Sequence, residues 1–211
     1  MNKENISKSV IKRLPRYYRF ISELDEQGVD RVSSGQLAEI MRTTASQVRQ
    51  DLNHFGGFGH QGYGYPVPKL KEEIKNILGL NKTHKAVLIG AGHIGTAIAA
   101  HMDFENMGFS LEGIFDTNKR IIGDKIRKVE IYEIEVLRDF CKAKGISAAF
   151  LCIPRESAPG VVKVLNEGGV NSFWNFTHYD INADYPDAIV ENVHLSDMLM
   201  TLCYSMKELE D

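Results

Sequence analysis

Six consecutive residues, Gly90-Ala91-Gly92-His93-Ile94-Gly95, follow the apolar run Ala86-Val87-Leu88-Ile89 and precede the helix-forming stretch Thr96-Ala97-Ile98-Ala99-Ala100. A G-x-G-x-x-G pattern alone is a weak signal, but between a buried strand and a helix it has the context its chemistry requires. The first glycine permits a tight turn, the second lets backbone approach a pyrophosphate, and the third allows the helix to lie against the strand. The first N–H groups of that helix have no intrahelical acceptor and face the phosphates. A second strand, Leu111 to Phe115, ends at Asp116. A carboxylate roughly 20 to 25 residues past the glycines accepts hydrogen bonds from adenosine ribose hydroxyls and repels a 2′-phosphate, so the predicted ligand is NAD(H) rather than NADP(H). Ile153-Pro154 falls at the carboxyl end of a later strand, where ligands sit in such sheets. Asp116 as a turn residue and Pro154 as a strand stop remain alternatives on these residues alone.

A second constellation could read nucleic acid. Ser46, Gln47, Arg49, Gln50, Asn53 and His54 fall on the outer face of one short helix. Gln, Asn and Arg make bidentate contacts to adenine and guanine edges in the major groove, while Ser holds phosphates and fixes register. The elements that present this face begin with an amphipathic helix carrying Val10, Leu14, Tyr17, Tyr18, Ile21 and Leu24, expected to be interrupted or kinked near Pro15 and to end at Gly28. Ser33 with Gln36 has capping-box spacing and opens a helix whose inward residues are Leu37, Ile40 and Met41. Thr44 with Gln47 repeats the signature and opens the outward-reading helix, with Val48, Leu52 and Phe55 inward and Gly56-Gly57 as its stop. Phe58 to Tyr65, rich in glycine and aromatics, predicts a β-hairpin wing that adds Gln61 to the DNA-facing set. Tyr65-Pro66-Val67-Pro68 should be extended. A three-helix bundle with a merely solvated polar face would share the periodicity; the paired capping signatures, short turn and wing favour a winged helix-turn-helix.

Leu70, Ile74, Ile77 and Leu78 make a connecting helix ending at Gly79. Beyond Asp116 the pattern continues as helix Tyr132 to Lys144, strand Ala148 to Ile153, helix Ala158 to Glu167, strand Ser172 to Phe176 and a late strand near Ile189-Val190. This alternation is that of a doubly wound Rossmann-type α/β domain. A terminal apolar stripe, Leu195, Leu199, Leu202, Met206 and Leu209, packs either on its own domain or on a second subunit. The second choice suits a major-groove reader, which commonly binds palindromic half-sites as a symmetric dimer. The expected division is 1–80 for the winged domain with its connecting helix, 81–194 for the Rossmann domain and 195–211 for a dimerisation helix.

Composition bounds these readings. With 211 residues, 43% hydrophobic and 25% charged, the chain suits two globular domains. The net charge of −3 conceals an asymmetry, since residues 1–80 carry 12 Lys and Arg against 9 Asp and Glu while the remainder is acidic. That faint basic excess supports a DNA reading without carrying it. Cys141, Cys152 and Cys203 form no C-x-x-C, so neither a disulfide framework nor a zinc site is expected, and they read as buried or incidental thiols. No apolar run approaches the roughly 20 residues of a membrane helix, and the polar N-terminus is no secretory signal, which predicts a cytoplasmic protein.

Over nearly its full length the chain resembles the redox-sensing transcriptional repressor Rex family of bacteria. The matching residues include Arg13-Leu14, Tyr17 to Arg19, Glu23 to Val29, Val32-Ser33-Ser34, Gln47-Val48-Arg49, Asp51-Leu52, Phe55-Gly56, Gly62 and Gly64-Tyr65. They continue through Ile77 to Leu80, Gly90 to Gly95, Phe115-Asp116, Ile153-Pro154 and Asn175-Phe176. The resemblance implies a homodimer in which each winged helix reads half of an inverted-repeat operator in double-stranded DNA, NAD(H) occupies the Rossmann domains, NADH favours release, and the C-terminal helix is domain-swapped. It also implies a switch set at Arg19, His101 and His194. There the chain departs from the family, whose members often carry Asp at the last position and Tyr at the second. An imidazole facing a guanidinium cannot form the acid–base pair, so the redox response is expected to be altered. Gln50 and His60-Gln61 replace basic residues, and Thr177-His178-Tyr179 replaces small residues and proline. Each lost cation removes a phosphate contact and lowers the salt dependence of binding. The competing readings are an NAD-dependent oxidoreductase, for which too little chain remains to build a substrate domain, and a sensor of another nucleotide such as CoA or ATP. No catalytic residue and no metal ligand is assigned.

Overall fold

The structure is a computed structural model that describes residues 7–54 and 63–209. The chain divides into two compact units, Met1–Lys82 and Thr83–Asp211.

In the first unit, α1 (Lys8–Glu26) runs unbroken through Pro15, correcting the expected interruption. Pro15 lies on the exposed face, where the Ile11 carbonyl it leaves unbonded can meet water, while Leu14, Tyr17 and Ile21 are fully buried beneath it. The helix ends in a Schellman motif: Gly28 takes φ +72°, its N–H donates to the Asp25 carbonyl, and the Val29 N–H donates to that of Leu24. A two-residue strand β1 (Arg31–Val32) leads into α2 (Ser34–Ile40), and Ser33 forms the full reciprocal capping box with Gln36. Arg42, at φ +47°, turns the chain into α3 (Ala45–Asn53). β2 (Tyr65–Pro66) pairs antiparallel with β1. Gly64 passes so close beneath Val32 that a β-carbon there would lie 2.7 Å from its carbonyl oxygen. The extended stretch stops at Pro66, not Pro68. Val67 already belongs to α4 (Val67–Ile77), because proline suits a helix's first turn, where no N–H acceptor is available. Leu14, Tyr17, Ile21, Leu37, Val48, Leu52, Leu70 and Ile74 form one core. The hairpin expected over Phe58 to Tyr65, with Gln61, and the helix end at Phe55 to Gly57 lie largely outside the described residues.

The second unit is a seven-stranded sheet. In chain order it comprises β3 (His84–Ile89), α5 (His93–His101), β4 (Phe109–Asp116), β5 (Lys125–Ile126), β6 (Val129–Glu133), α6 (Leu137–Lys144), β7 (Ala148–Leu151), α7 (Ala158–Glu167), β8 (Ser172–Asn175), α8 (Ile181–Asp184), β9 (Ile189–Asn192) and α9 (Leu195–Lys207). The spatial order is β5-β6-β4-β3-β7-β8-β9, parallel except for β5. Chain order therefore reverses between β3 and β7, creating the crevice where ligands bind in open α/β sheets. The helix expected from Tyr132 is corrected: Tyr132 lies in β6, and helical structure starts at Ile134. The β-branched alternation of Val129 and Ile131 belongs to a strand paired with β4 and hooked into a hairpin with β5.

Alternate residues of β3 feed opposite faces. Val87 and Ile89 pack with Leu137, Cys141, Val162, Leu165 and Ile181 beneath α6, α7 and α8, whereas Ala86 and Leu88 pack with Ala99 of α5, Ile114 and Phe150. Beyond α5, the second face opens into an apolar groove of about 480 Å³ lined by Phe104, Met107, Phe109, Phe150, Trp174 and Ile189 among others. None of the described residues of α9 is buried; Leu195, Met198, Leu199, Leu202 and Met206 are all more than half exposed. No described helix is long and apolar enough to cross a membrane.

Candidate nucleotide and nucleic-acid sites

The glycine turn is built by backbone contacts that a side chain would forbid. Gly90 takes φ +95°, and a β-carbon there would lie 2.5 Å from the Cys152 carbonyl oxygen of the neighbouring strand end. At Gly95 a β-carbon would lie 1.8 Å from the Gly90 carbonyl oxygen, so helix and turn meet only because this residue is glycine. Gly92 caps α5 with ordinary extended backbone, and a β-carbon there would meet no non-adjacent atom within 4 Å. Packing therefore does not require glycine at this position, and the open space beside it lies over the exposed N-terminus of α5.

Asp116 reaches this turn. Its Oδ2 accepts from the Ala91 N–H at 2.6 Å and its Oδ1 from the Asn118 N–H at 2.8 Å. An ionised carboxylate has about four acceptor sites, so each oxygen keeps capacity for a ribose hydroxyl. The open Gly92 cradle, the free first-turn N–H groups and this carboxylate fit the pyrophosphate and diol of a dinucleotide with unphosphorylated ribose. Ile153 and Pro154 follow β7 across the crevice, and the Ile153 side chain touches the Gly90 position. A hollow of about 440 Å³ runs from Ala91, Gly92 and His93 along α5 to His101, so His101 shares a groove with the glycine turn. Cys152 sits at the same strand end, but burial pushes its thiol up to about 12, leaving no thiolate for redox chemistry near neutral pH. Cys152 is half-buried and Cys141 buried, whereas Cys203 is exposed on α9.

In the first unit, Ser46, Arg49, Gln50, Asn53 and His54 are exposed along α3. Arg49 reaches the Ser34 hydroxyl at 3.1 Å, tying α3 to α2. Gln47 differs from its neighbours. Thr44 caps the Gln47 N–H, but the Gln47 side chain does not complete the reciprocal box; its Nε2 donates to Asp51 Oδ1 at 2.8 Å, and the residue is half-buried. Asp51, fully buried, also accepts from Arg13 Nε and Nη2, each at 2.7 Å, and from the Tyr17 hydroxyl at 3.1 Å. Burial pushes the Asp51 carboxyl up, but the hydrogen bonds from Arg13, Gln47 and Tyr17 outweigh it and hold the group below its ordinary value. Burial and the Asp51 charge push the Tyr17 phenol up. This network anchors the outward-reading helix to α1, and the residue patterns did not reveal it. The available signal was an acidic residue next to Leu52 on the inward arc of α3, which demands a buried cation.

Two of the predicted switch residues, Arg19 and His194, meet different neighbours. Arg19 stacks its guanidinium over the Phe20 ring at 5.1 Å. His194, the N-cap residue of α9, meets His178 through Nδ1–Nδ1 at 2.7 Å. Arg19 belongs to the first unit, His101 and His194 to the second.

A helix-turn-helix unit followed by a doubly wound domain with a glycine-rich turn defines a class of ligand-responsive DNA-binding regulator. Residues 5–53 match the family described as putative DNA-binding protein N-terminus, and residues 81–179 match the CoA binding domain family. The chain is 52% identical to the redox-sensing transcriptional repressor Rex of Clostridium perfringens strain SM101, covering 96% of this chain and 95% of that protein. It is 49% identical to the Rex of Thermoanaerobacter sp. strain X514, over 100% of this chain and 94% of that one. Among solved structures, RSP in complex with β-NAD+ and operator DNA superposes with a TM-score of 0.89 at 48% identity, covering 99% of this chain and 95% of that one. RSP in complex with β-NADH gives 0.88 at 46% identity, covering 99% and 97%. The chain belongs to the redox-sensing transcriptional repressor Rex family.

Proposed function

We propose that the chain binds double-stranded operator DNA as a homodimer in the cytoplasm, that each subunit holds NAD(H) across the glycine turn, and that NADH favours release. The observation that carries the ligand assignment is the open space at Gly92 beside Asp116. Gly90 to Gly95 cradle the pyrophosphate, Asp116 takes the ribose diol, and Ile153 and Pro154 line the crevice wall. The family description of the second unit names CoA. CoA and NADPH both carry an adenosine ribose phosphate, which the Asp116 carboxylate repels, so both rank below NAD(H).

On the DNA side, Ser46, Gln47, Arg49, Gln50 and Asn53 form the duplex-facing set, to which the sequence reading adds Gln61, outside the described residues. Gln47 stands at its edge because Asp51 holds its amide. The homodimer reading rests on α9, whose apolar residues are exposed along its length, and on the apolar sheet groove, which offers a surface of matching chemistry. The segment 195–211, which contains α9, serves dimerisation, exchanged between subunits, while 1–80 and 81–194 serve DNA and nucleotide. Ligand and operator are coupled only if NADH prefers the released arrangement; moving the population from 1:99 to 99:1 needs a differential of about 10⁴-fold. Arg19, His101 and His194 are the positions through which that preference is expressed.

Calorimetric titration of the purified chain with NADH, NAD+, NADPH and CoA tests the assignment. NADH and NAD+ should bind, NADPH and CoA at least tenfold more weakly. Gly92→Val should lose roughly tenfold or more in NADH affinity with the fold intact. CoA binding as tight as NADH, or unchanged NADH affinity in the variant, would overturn it.

A further inference from the structure

His178 and His194 lie 16 residues apart in sequence yet bring their Nδ1 atoms to 2.7 Å, with ring centroids 4.7 Å apart. Both imidazoles are carried on backbone fixed to one buried residue. Asn175, 1% exposed, accepts at Oδ1 from the Thr177 N–H and hydroxyl, and donates from Nδ2 to the Tyr179 carbonyl and to Asn192 Oδ1. Its backbone carbonyl accepts from the Val193 N–H, one residue before His194. Two acceptor and two donor contacts exhaust this side chain. His178 is pinned on both sides and held at φ +59°, in the left-handed region.

Such a turn costs backbone strain and aims a ring at its partner. If both rings took the tautomer with hydrogen on Nε2, two Nδ1 lone pairs would face each other at hydrogen-bonding distance, which is repulsive. The contact is favourable only with a hydrogen or a metal ion between the two nitrogens, the former when one ring takes the Nδ1–H tautomer and donates to the other. His178 is exposed and His194 half-exposed, so ions reach the pair from solvent.

We propose that His178 and His194 form a two-imidazole clip for a divalent cation of the zinc and nickel class, fastening the start of α9 to the loop after β8. Imidazole nitrogens select Zn²⁺, Ni²⁺ and Cu²⁺ over Mg²⁺ and Ca²⁺, which require oxygen ligands. Bonds of about 2.0–2.1 Å at a tetrahedral angle place the two nitrogens roughly 3.3 Å apart, so the rings open by about 0.6 Å and shift their shared hydrogen to Nε2. Among the described residues no third His, Cys, Asp or Glu completes a cluster with them, so water fills the remaining positions. Asp197 in the first turn of α9 offsets the unfavourable helix dipole felt by a cation at the N-cap. Because the clip spans the segment leading into α9, metal occupancy would stiffen the attachment of that helix.

The test uses the full-length chain carrying Cys203→Ser throughout, since the exposed Cys203 thiol is itself a metal ligand. ZnCl2, NiCl2 and MgCl2 are titrated by calorimetry, and the imidazole nitrogens are followed by long-range ¹H–¹⁵N NMR. Expected are one Zn²⁺ or Ni²⁺ per chain, shifts at the Nδ1 of both residues, a loss of roughly tenfold or more in affinity with either His178→Gln or His194→Gln, and no response to Mg²⁺. Circular dichroism shows that the variants are folded. Zinc binding unchanged in both variants, or Nδ1 signals that respond to pH and not to metal, would overturn the clip. Neither readout depends on operator or nucleotide binding.

Discussion

The glycine turn and the outward-reading helix are positioned by opposite means. At Gly90 to Gly95 the side chains are absent and backbone meets backbone: a β-carbon at Gly95 would lie 1.8 Å from the Gly90 oxygen. At α3 positioning depends on side chains that meet in the core, where Asp51 gathers Arg13, Tyr17 and Gln47. A turn made by close backbone approach loses stability to a side chain where it packs, as at Gly95, and not where it meets open space, as at Gly92. A site made by a buried polar network fails by leaving a buried charge without its countercharge.

That contrast yields graded expectations. Gly95→Ala should have the largest effect, destabilising the second unit by roughly 4 kcal/mol or more, because helix and strand must separate to admit the methyl group. Gly92→Val, three residues away, should leave urea unfolding nearly unchanged. Equal destabilisation by the two would break the distinction between packing glycine and ligand-facing glycine.

Arg13→Ala comes next. It strands the Asp51 carboxylate inside the first unit and should cost on the order of 3 kcal/mol in denaturant unfolding. The folded Asp51 carboxyl lies below its unfolded value of about 3.9. Its contribution is therefore present above that pH and lost as acid carries the protein through the depressed value. The deficit of Arg13→Ala should shrink below about pH 4, and a pH-independent deficit would show that Arg13 acts through packing alone. Ser33→Ala should be the smallest effect, about 1 kcal/mol, from loss of the capping box that opens α2.

The same contrast explains what could be read from residues alone. The glycine turn and the Ser33 box are local, satisfied within a few residues, so spacing reveals them. Asp116 was legible because a strand end sets its distance from the turn. Asp51 was not, since Arg13 lies 38 residues away and nothing in the periodicity joins them. Gln47 was counted with the outer face because its type suits base contacts, while its amide is drawn to Asp51. The strands β1, β2 and β5 have two residues each, too short for alternation to show. The contact of His178 with His194 depends on how Asn175 folds the intervening turn, so it emerges only in three dimensions.

If nucleotide occupancy of the second unit sets the DNA affinity of the first, operator binding by the purified chain, titrated separately with NADH and NAD+, must report it. NADH alone should weaken operator binding by tenfold or more, while NAD+ leaves it in place. Operator affinity indifferent to both nucleotides would mean that the two units are not coupled.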